Sequence, residues 1–125
     1  MPAADLARER YMSLGTFRRN GVEVRTATWF AVVGDGLWVV TGGDTGKVKR
    51  VRHTSRVRVA PCDVRGIVHG PWREGTARIV QDPREIAEAH AMLRAKYGWQ
   101  MTMLDVFARL SGRLRRRAWL EVSLE

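Results

Sequence analysis

With 125 residues the chain is long enough for one domain with a real core and too short for two. Its 22 Lys+Arg against 13 Asp+Glu leave a formal charge of +9, which points to an anionic partner: nucleic acid, a lipid surface or a phosphorylated small ligand. A hydrophobic content of 45% excludes a disordered chain despite that charge.

In chain order, residues 3–12 read as a short helix with Leu6 and Ala7 opposite Arg8, Glu9 and Arg10. Ser13 to Arg19 and Val22 to Val33 read as strands, joined by Asn20-Gly21. That dipeptide suits the two positive φ angles of a type I′ turn. Gly34-Asp35-Gly36 leads into Leu37 to Thr41, which completes an expected three-stranded antiparallel meander. After the loop Gly42 to Gly46, the i,i+3 pair Val48 and Val51 predicts a two-turn helix over 47–53. Arg56 to Ala60 alternates with period two and predicts a fourth strand; Pro61 to Gly70 is rich in turns, and Trp72 to Val80 is the fifth strand. Asp82 before Pro83 is an N-cap signal for a helix that Gly98 ends, along which Ile86, Ala87, His90, Met92, Leu93 and Tyr97 follow helical spacing. A second short helix is expected over 102–111 with Thr102 as its cap, and Arg115 to Leu124 alternates as the last strand. Six mostly hairpin-connected strands with short helices between them favour a mainly β domain, a small closed or split β-barrel with α inserts, over a parallel α/β sheet. One such domain is expected to span 1–125, with Trp38 and Trp119 in its core or on a dimer face.

Lysine occurs only at Lys47, Lys49 and Lys96, so the basic excess is nearly all arginine. Segment 46–62 holds six Lys/Arg and no acid. If Gly46 opens the helix, its free N–H groups, the Thr41 and Thr45 hydroxyls and the Lys47 and Lys49 ammonium groups can converge as a phosphate cradle. The plainer alternative is a solvated basic helix, with Gly42 and Gly43 serving the turn alone. The order of residues excludes a Walker A loop, because no Gly-Lys-Ser/Thr ends it. Segment 46–62 and the run Arg113 to Arg117 could instead track a nucleic-acid backbone, although no nucleic-acid-binding signature accompanies them, so nucleic acid is an unlikely partner. Cys62 is the single cysteine, and His53, His69 and His90 are scattered, so no disulfide, metal site or catalytic spacing is expected. The first ten residues lack an apolar signal region and the longest apolar run is the five residues Trp29 to Val33, so a cytoplasmic protein without a membrane span is expected.

The segment Thr41-Gly-Gly-Asp-Thr45-Gly-Lys47-Val-Lys49-Arg50, followed by a helix and Thr54-Ser55-Arg56-Val57-Arg58-Val59, resembles the pyridoxamine 5′-phosphate oxidase-like superfamily. Its flavin-binding members show a strand ending in Thr, a Ser/Thr four residues on and a Lys two further. Leu14-Gly-Thr-Phe-Arg-Arg-Asn-Gly21, Thr28-Trp-Phe-Ala31, Val57-Arg-Val-Ala-Pro-Cys-Asp63 and Arg73-Glu-Gly-Thr-Ala-Arg-Ile-Val80 are similar to the actinobacterial branch of F420-dependent oxidoreductases. The resemblance implies a split β-barrel homodimer with the cofactor in a groove at the subunit interface. It implies that Thr41, Thr45 and Lys47 hold the cofactor phosphate, that Lys49 and Arg50 extend that contact, and that Thr28 and Trp29 line the wall beside the tricyclic ring. Coenzyme F420 is the implied cofactor, with FMN the alternative, since the F420 phosphate and oligoglutamate tail suit a basic groove.

The chain departs from the FMN-dependent oxidases at three places. They carry Arg before the motif Lys, where this chain has Gly46; an Arg…Leu-Leu-Lys pattern where it has the uncharged Thr26 to Ala31; and a C-terminal Trp and Arg motif for pyridoxal that is not found after Arg117. The implied activity is hydride transfer between reduced deazaflavin and a small organic substrate, for which the protein supplies orientation and exclusion of water. No catalytic residue is assigned; Tyr11, His53 and His69 are the proton donors considered. A split barrel that carries its cofactor without turnover is the non-enzymatic alternative.

Overall fold

A computed structural model describes residues 4–43, 45–112 and 116–125. Asp44 of the glycine-rich loop and Arg113 to Arg115 of the basic run lie outside the described residues. Strands β1 (Tyr11–Phe17), β2 (Glu23–Thr28), β3 (Ala31–Val33), β4 (Gly36–Gly42), β5 (Arg56–Cys62), β6 (Arg73–Val80) and β7 (Arg117–Leu124) form one antiparallel sheet. Their order across it is β2-β1-β5-β6-β7-β4-β3, curled into a half-barrel. Helix α1 (Gly46–His53) joins β4 to β5, while α2 (Pro83–Tyr97) and α3 (Trp99–Leu110) join β6 to β7.

Alternation along the strands divides the apolar residues between two cores. Met12, Leu14, Leu37, Val39, Val57, Val59, Leu120 and Val122 fill the concave side, closed by Val51 of α1. Trp38 and Trp119 point to the other side and pack on Ala89, Leu93 and Tyr97 of α2 and Met101 of α3. Both tryptophans are thus buried within one chain. The helix signals of α2 hold as expected: Pro83 opens it, and the Asp82 carboxylate accepts from the Arg84 N–H at 2.9 Å.

The structure differs from the sequence reading at several points. The expected helix over 3–12 shrinks to a 3-10 turn at Ala4–Leu6, because Tyr11 and Met12 belong to β1, where they pair with Cys62 and Pro61. The Asn20-Gly21 hairpin forms, but only Gly21 has positive φ (87°), and the Gly21 N–H bonds the Arg18 carbonyl at 2.9 Å. This is a three-residue loop closed by a glycine bulge rather than a type I′ turn. The second short helix begins at Trp99 and not at Thr102, because the Gly98 carbonyl accepts from Met101 and Thr102 and so serves both helices. The last strand begins at Arg117.

The largest difference concerns the strand expected over 22–33. It breaks at Trp29 and Phe30 into β2 and β3, which lie at opposite edges of the sheet, giving seven strands and no three-stranded meander. The Phe30 N–H does not join a ladder; it donates to the Tyr97 hydroxyl at 3.0 Å. No glycine or proline marks this break, since a side chain from a distant helix supplies the hydrogen bond that the ladder would have made.

Candidate functional site

The short β3 determines where the barrel opens. It pairs with β4 only from Ala31↔Trp38 to Val33↔Gly36, so the second half of β4 has β7 as its only strand neighbour. Thr28 and Trp29 at the end of β2 face this seam from one side, and Val40 and Thr41 of β4 from the other. At the foot of the seam, the Gly43 N–H bonds the Arg116 carbonyl, and a Cβ on Gly43 would collide with that oxygen. The loop can make this close turn only with glycine there.

Helix α1 then starts beside the seam. Val48 and Val51 turn into the barrel, which by the helical period places Lys47 toward β4 and turns Lys49 outward. The Lys47 ammonium donates to the Thr41 hydroxyl at 3.4 Å and has no carboxylate partner among the described residues. Burial, followed by the nearby Arg50 guanidinium, holds its pKa below the ordinary lysine value. Thr45 donates its hydroxyl to the Gly42 carbonyl at 2.9 Å and so does not cap α1, which leaves the first N–H groups of that helix without a side-chain acceptor among the described residues.

Two adjoining cavities occupy the seam. One of about 460 Å³ is lined by Thr41, Gly42, Thr45, Arg116 and Arg117. The other, about 230 Å³, is lined by Ala27, Thr28, Trp29 and Lys47. Val40 and Leu104, the latter on α3, line both. Among the described residues no acid lines either cavity, so the seam is a basic, partly apolar groove. Trp29 is fixed there by stacking on Tyr97, with ring centroids 4.3 Å apart and planes 7° apart.

Of the residues singled out in the sequence, Thr28, Trp29, Thr41, Thr45 and Lys47 come together in this groove. Lys49 and Arg50 do not line it; they face a shallow hollow with Phe17, Arg18, Arg19 and His53. Arg50 donates from Nε to the Thr16 hydroxyl at 2.6 Å. The Thr28 hydroxyl is engaged too, donating to the Met12 carbonyl at 3.1 Å. Tyr11, His53 and His69 line neither cavity, and His69 sits 3.2 Å from the Glu9 carboxylate.

Sequence reasoning missed Arg117, whose side chain is only 10% exposed. It donates to Asp105 at 2.7 Å, and the other oxygen of Asp105 lies 2.8 Å from His90 Nε2. Burial works against the Asp105 carboxylate, yet the hydrogen bonds from Arg117 and His90 hold its pKa below the ordinary carboxyl value. The available signal was that Asp105 is the one acid in α3.

A curled antiparallel sheet left open along one seam, with helices on its outer side and a basic groove in the opening, is a split β-barrel. The chain belongs to the pyridoxamine 5′-phosphate oxidase family, whose model matches residues 3–125. Among curated proteins none matches the sequence. Solved structures share the fold at low identity. A conserved hypothetical protein from Mycobacterium tuberculosis superposes with a TM-score of 0.73 at 22% identity, over 100% of this chain and 81% of that one. The heme storage protein of Vibrio cholerae gives 0.73 at 13%, over 94% and 83%. An F420 reductase gives 0.64 at 16%, over 99% and 93%. Neighbours in this fold thus include both an oxidoreductase and a heme-binding protein. Among the described residues no helix is long and apolar enough to cross a membrane.

Proposed function

We propose that this chain is an F420-dependent oxidoreductase that works as a homodimer, with the cofactor in the seam groove. The observation that carries this reading is Lys47: a half-buried ammonium beside the Thr41 hydroxyl and the N-terminus of α1, with neither a carboxylate partner for the lysine nor a side-chain cap for the helix among the described residues. An ammonium so placed gains most from a phosphate, which restores the solvation that burial removed. The residues fit the group. Lys47, Thr41 and the first N–H groups of α1 would hold the phosphate, and Trp29, Val40 and Leu104 would flank the ring. When bound, F420 supplies the hydride chemistry itself. The chain orients the ring, keeps water from it through Trp29 and Leu104, and leaves one face to the substrate.

The face of α3 supports the second copy. Trp99, Phe107 and Leu110 are 70%, 73% and 82% exposed, while Met101 and Ala108 on the opposite face are buried. An exposed apolar face of this size calls for a cover, and this helix also carries Leu104 on the groove wall. Another chain packed here would enclose a ligand that one chain leaves open to solvent.

Fluorescence titration of wild type and Lys47→Ala with F420 and FMN at physiological salt tests the reading. Wild type is expected to bind F420 more tightly than FMN, and Lys47→Ala to lose at least about tenfold, the equivalent of one charge-assisted hydrogen bond. Equal affinity in the two proteins removes the phosphate assignment, and much tighter FMN binding removes F420. Binding without oxidation of reduced F420 by enones or quinones makes the protein a carrier.

A further inference from the structure

The wall of the larger cavity carries a buried guanidinium with one terminal nitrogen unpaired among the described residues. Arg117 lies at the first position of β7, in register with Gly42, and lines the larger cavity. Its Nη1 is taken by Asp105 at 2.7 Å. Its Nη2 is buried and has no hydrogen-bond acceptor among the described residues. A buried donor left unmade is costly, and nearly every such group in a folded protein has a partner or a use. Asp105 is in turn gripped by His90, whose ring meets Trp119 edge-on with centroids 5.9 Å apart. The guanidinium is therefore held on one side by a braced carboxylate, and a contact to a second oxyanion is the bond its chemistry still allows. Arg116, next to it on the cavity wall, adds charge on the same side.

We propose that Arg117 is a second anion ligand of the groove, with Asp105 as its positioning residue, so that the bound molecule carries two separate anionic groups: a phosphate at Lys47 and Thr41, and a further carboxylate or phosphate at Arg117. This rests on the groove being a cofactor site and adds a specificity rule to it. A ligand with one phosphate uses Lys47 alone; a ligand with a phosphate and additional carboxylates uses both walls.

The experiment compares FMN, which has one phosphate, with F420, which has a phosphate and glutamate carboxylates, on Lys47→Ala, Arg117→Met, Arg117→Lys and Asp105→Asn. Lys47→Ala weakens both ligands. Arg117→Met weakens F420 by about tenfold or more and FMN by less than about threefold, on the scale of one charge-assisted contact. Arg117→Lys keeps the ion pair with Asp105 and so guards against a folding defect, yet it cannot fork, and it shows the same selective loss. Asp105→Asn lowers the F420-to-FMN affinity ratio, which a loss of stability alone would leave unchanged. Equal effects of the Arg117 variants on the two ligands, or none, overturn the proposal.

An arm without cofactor separates this from the functional reading. Pyrophosphate is expected to raise the melting temperature of wild type more than that of Arg117→Met, while the exposed-surface control Arg84→Met responds like wild type. If neither FMN nor F420 binds wild type but this pattern holds, the functional reading fails and Arg117 stands as an anion ligand. If Arg117→Met and Arg84→Met respond alike, Arg117 is not one.

Discussion

Trp29 lies flat on Tyr97, 4.3 Å between ring centroids, so the last residue of α2 fixes a wall of the groove that β2 and β4 otherwise form. The same tyrosine hydroxyl accepts the Phe30 N–H at 3.0 Å, and its hydrogen is within reach of the Arg10 carbonyl at 2.7 Å and the Phe30 carbonyl at 3.1 Å. One phenol thereby supports the chain break that opens the barrel and the indole that lines the opening. Burial pushes its pKa up to about 12, so it stays a neutral donor across the working range.

Tyr97→Phe keeps the stacked ring and removes the hydroxyl, leaving the buried Phe30 N–H without an acceptor. Chemical denaturation should show a loss of about 1–3 kcal/mol, with faster hydrogen exchange at the Phe30 amide. Tyr97→Ala also removes the ring under Trp29 and should cost about 3–5 kcal/mol. If Tyr97→Phe matches wild type in both measurements, the hydroxyl does not hold the break.

Lys96 offers a test by pH. Its Nζ is buried without a hydrogen-bond acceptor among the described residues and sits 3.6 Å from the centroid of the Phe30 ring. Burial, followed by repulsion from Arg10, brings its pKa from 10.5 to about 8. Below about 8 the lysine is charged in both folded and unfolded chains, and the folded state bears the full cost of the buried charge. Between about 8 and 10.5 the unfolded chain holds the proton and the folded one has released it, so stability rises with pH. Lys96→Met keeps the stem and removes the charge. It should melt higher than wild type at neutral pH, with the gain shrinking toward pH 10; a gain independent of pH would assign the effect to packing alone.

The α3 face gives a prediction about assembly. Phe107→Glu with Leu110→Glu places two carboxylates on side chains that are 73% and 82% exposed in one chain. Their effect on the fold of a single chain should be within about 0.5 kcal/mol each, as for other surface substitutions. Sedimentation should find wild type at twice the chain mass and the double variant at one. An unchanged sedimentation coefficient would place the second copy elsewhere or remove it.

Legibility from sequence followed the range of the interactions involved. Helices α1 and α2, strands β4 to β6 and the cap at Asp82 depend on neighbours a few residues away, and local pattern shows them. Lys47 and Thr41 were legible for the same reason, being six positions apart across one turn. The break at Trp29 and Phe30 was not, because it is made by Tyr97, 67 residues further along. Arg117 was hidden among other arginines in a basic tail, and only its pairing with Asp105 across the β7–α3 junction distinguishes it from solvated neighbours. The +9 charge pointed to an anion without locating it; the fold concentrates the relevant part on two walls of one seam.

The pairing of β4 with β7 also sets the order in which the molecule can be assembled. Gly36 meets Ser123 and Gly42 meets Arg117, so β4 finds its long partner in a strand made much later. During synthesis β4 must wait, that edge uncovered, until β7 has emerged. Such long-range closure folds slowly compared with the β1–β2 hairpin, whose partners lie within sixteen residues of one another. Loss of residues 117–125 would remove β7 and with it the neighbour of both β4 and β6. A nascent or truncated chain would thus expose two strand edges at once, in a form open to capture by other chains.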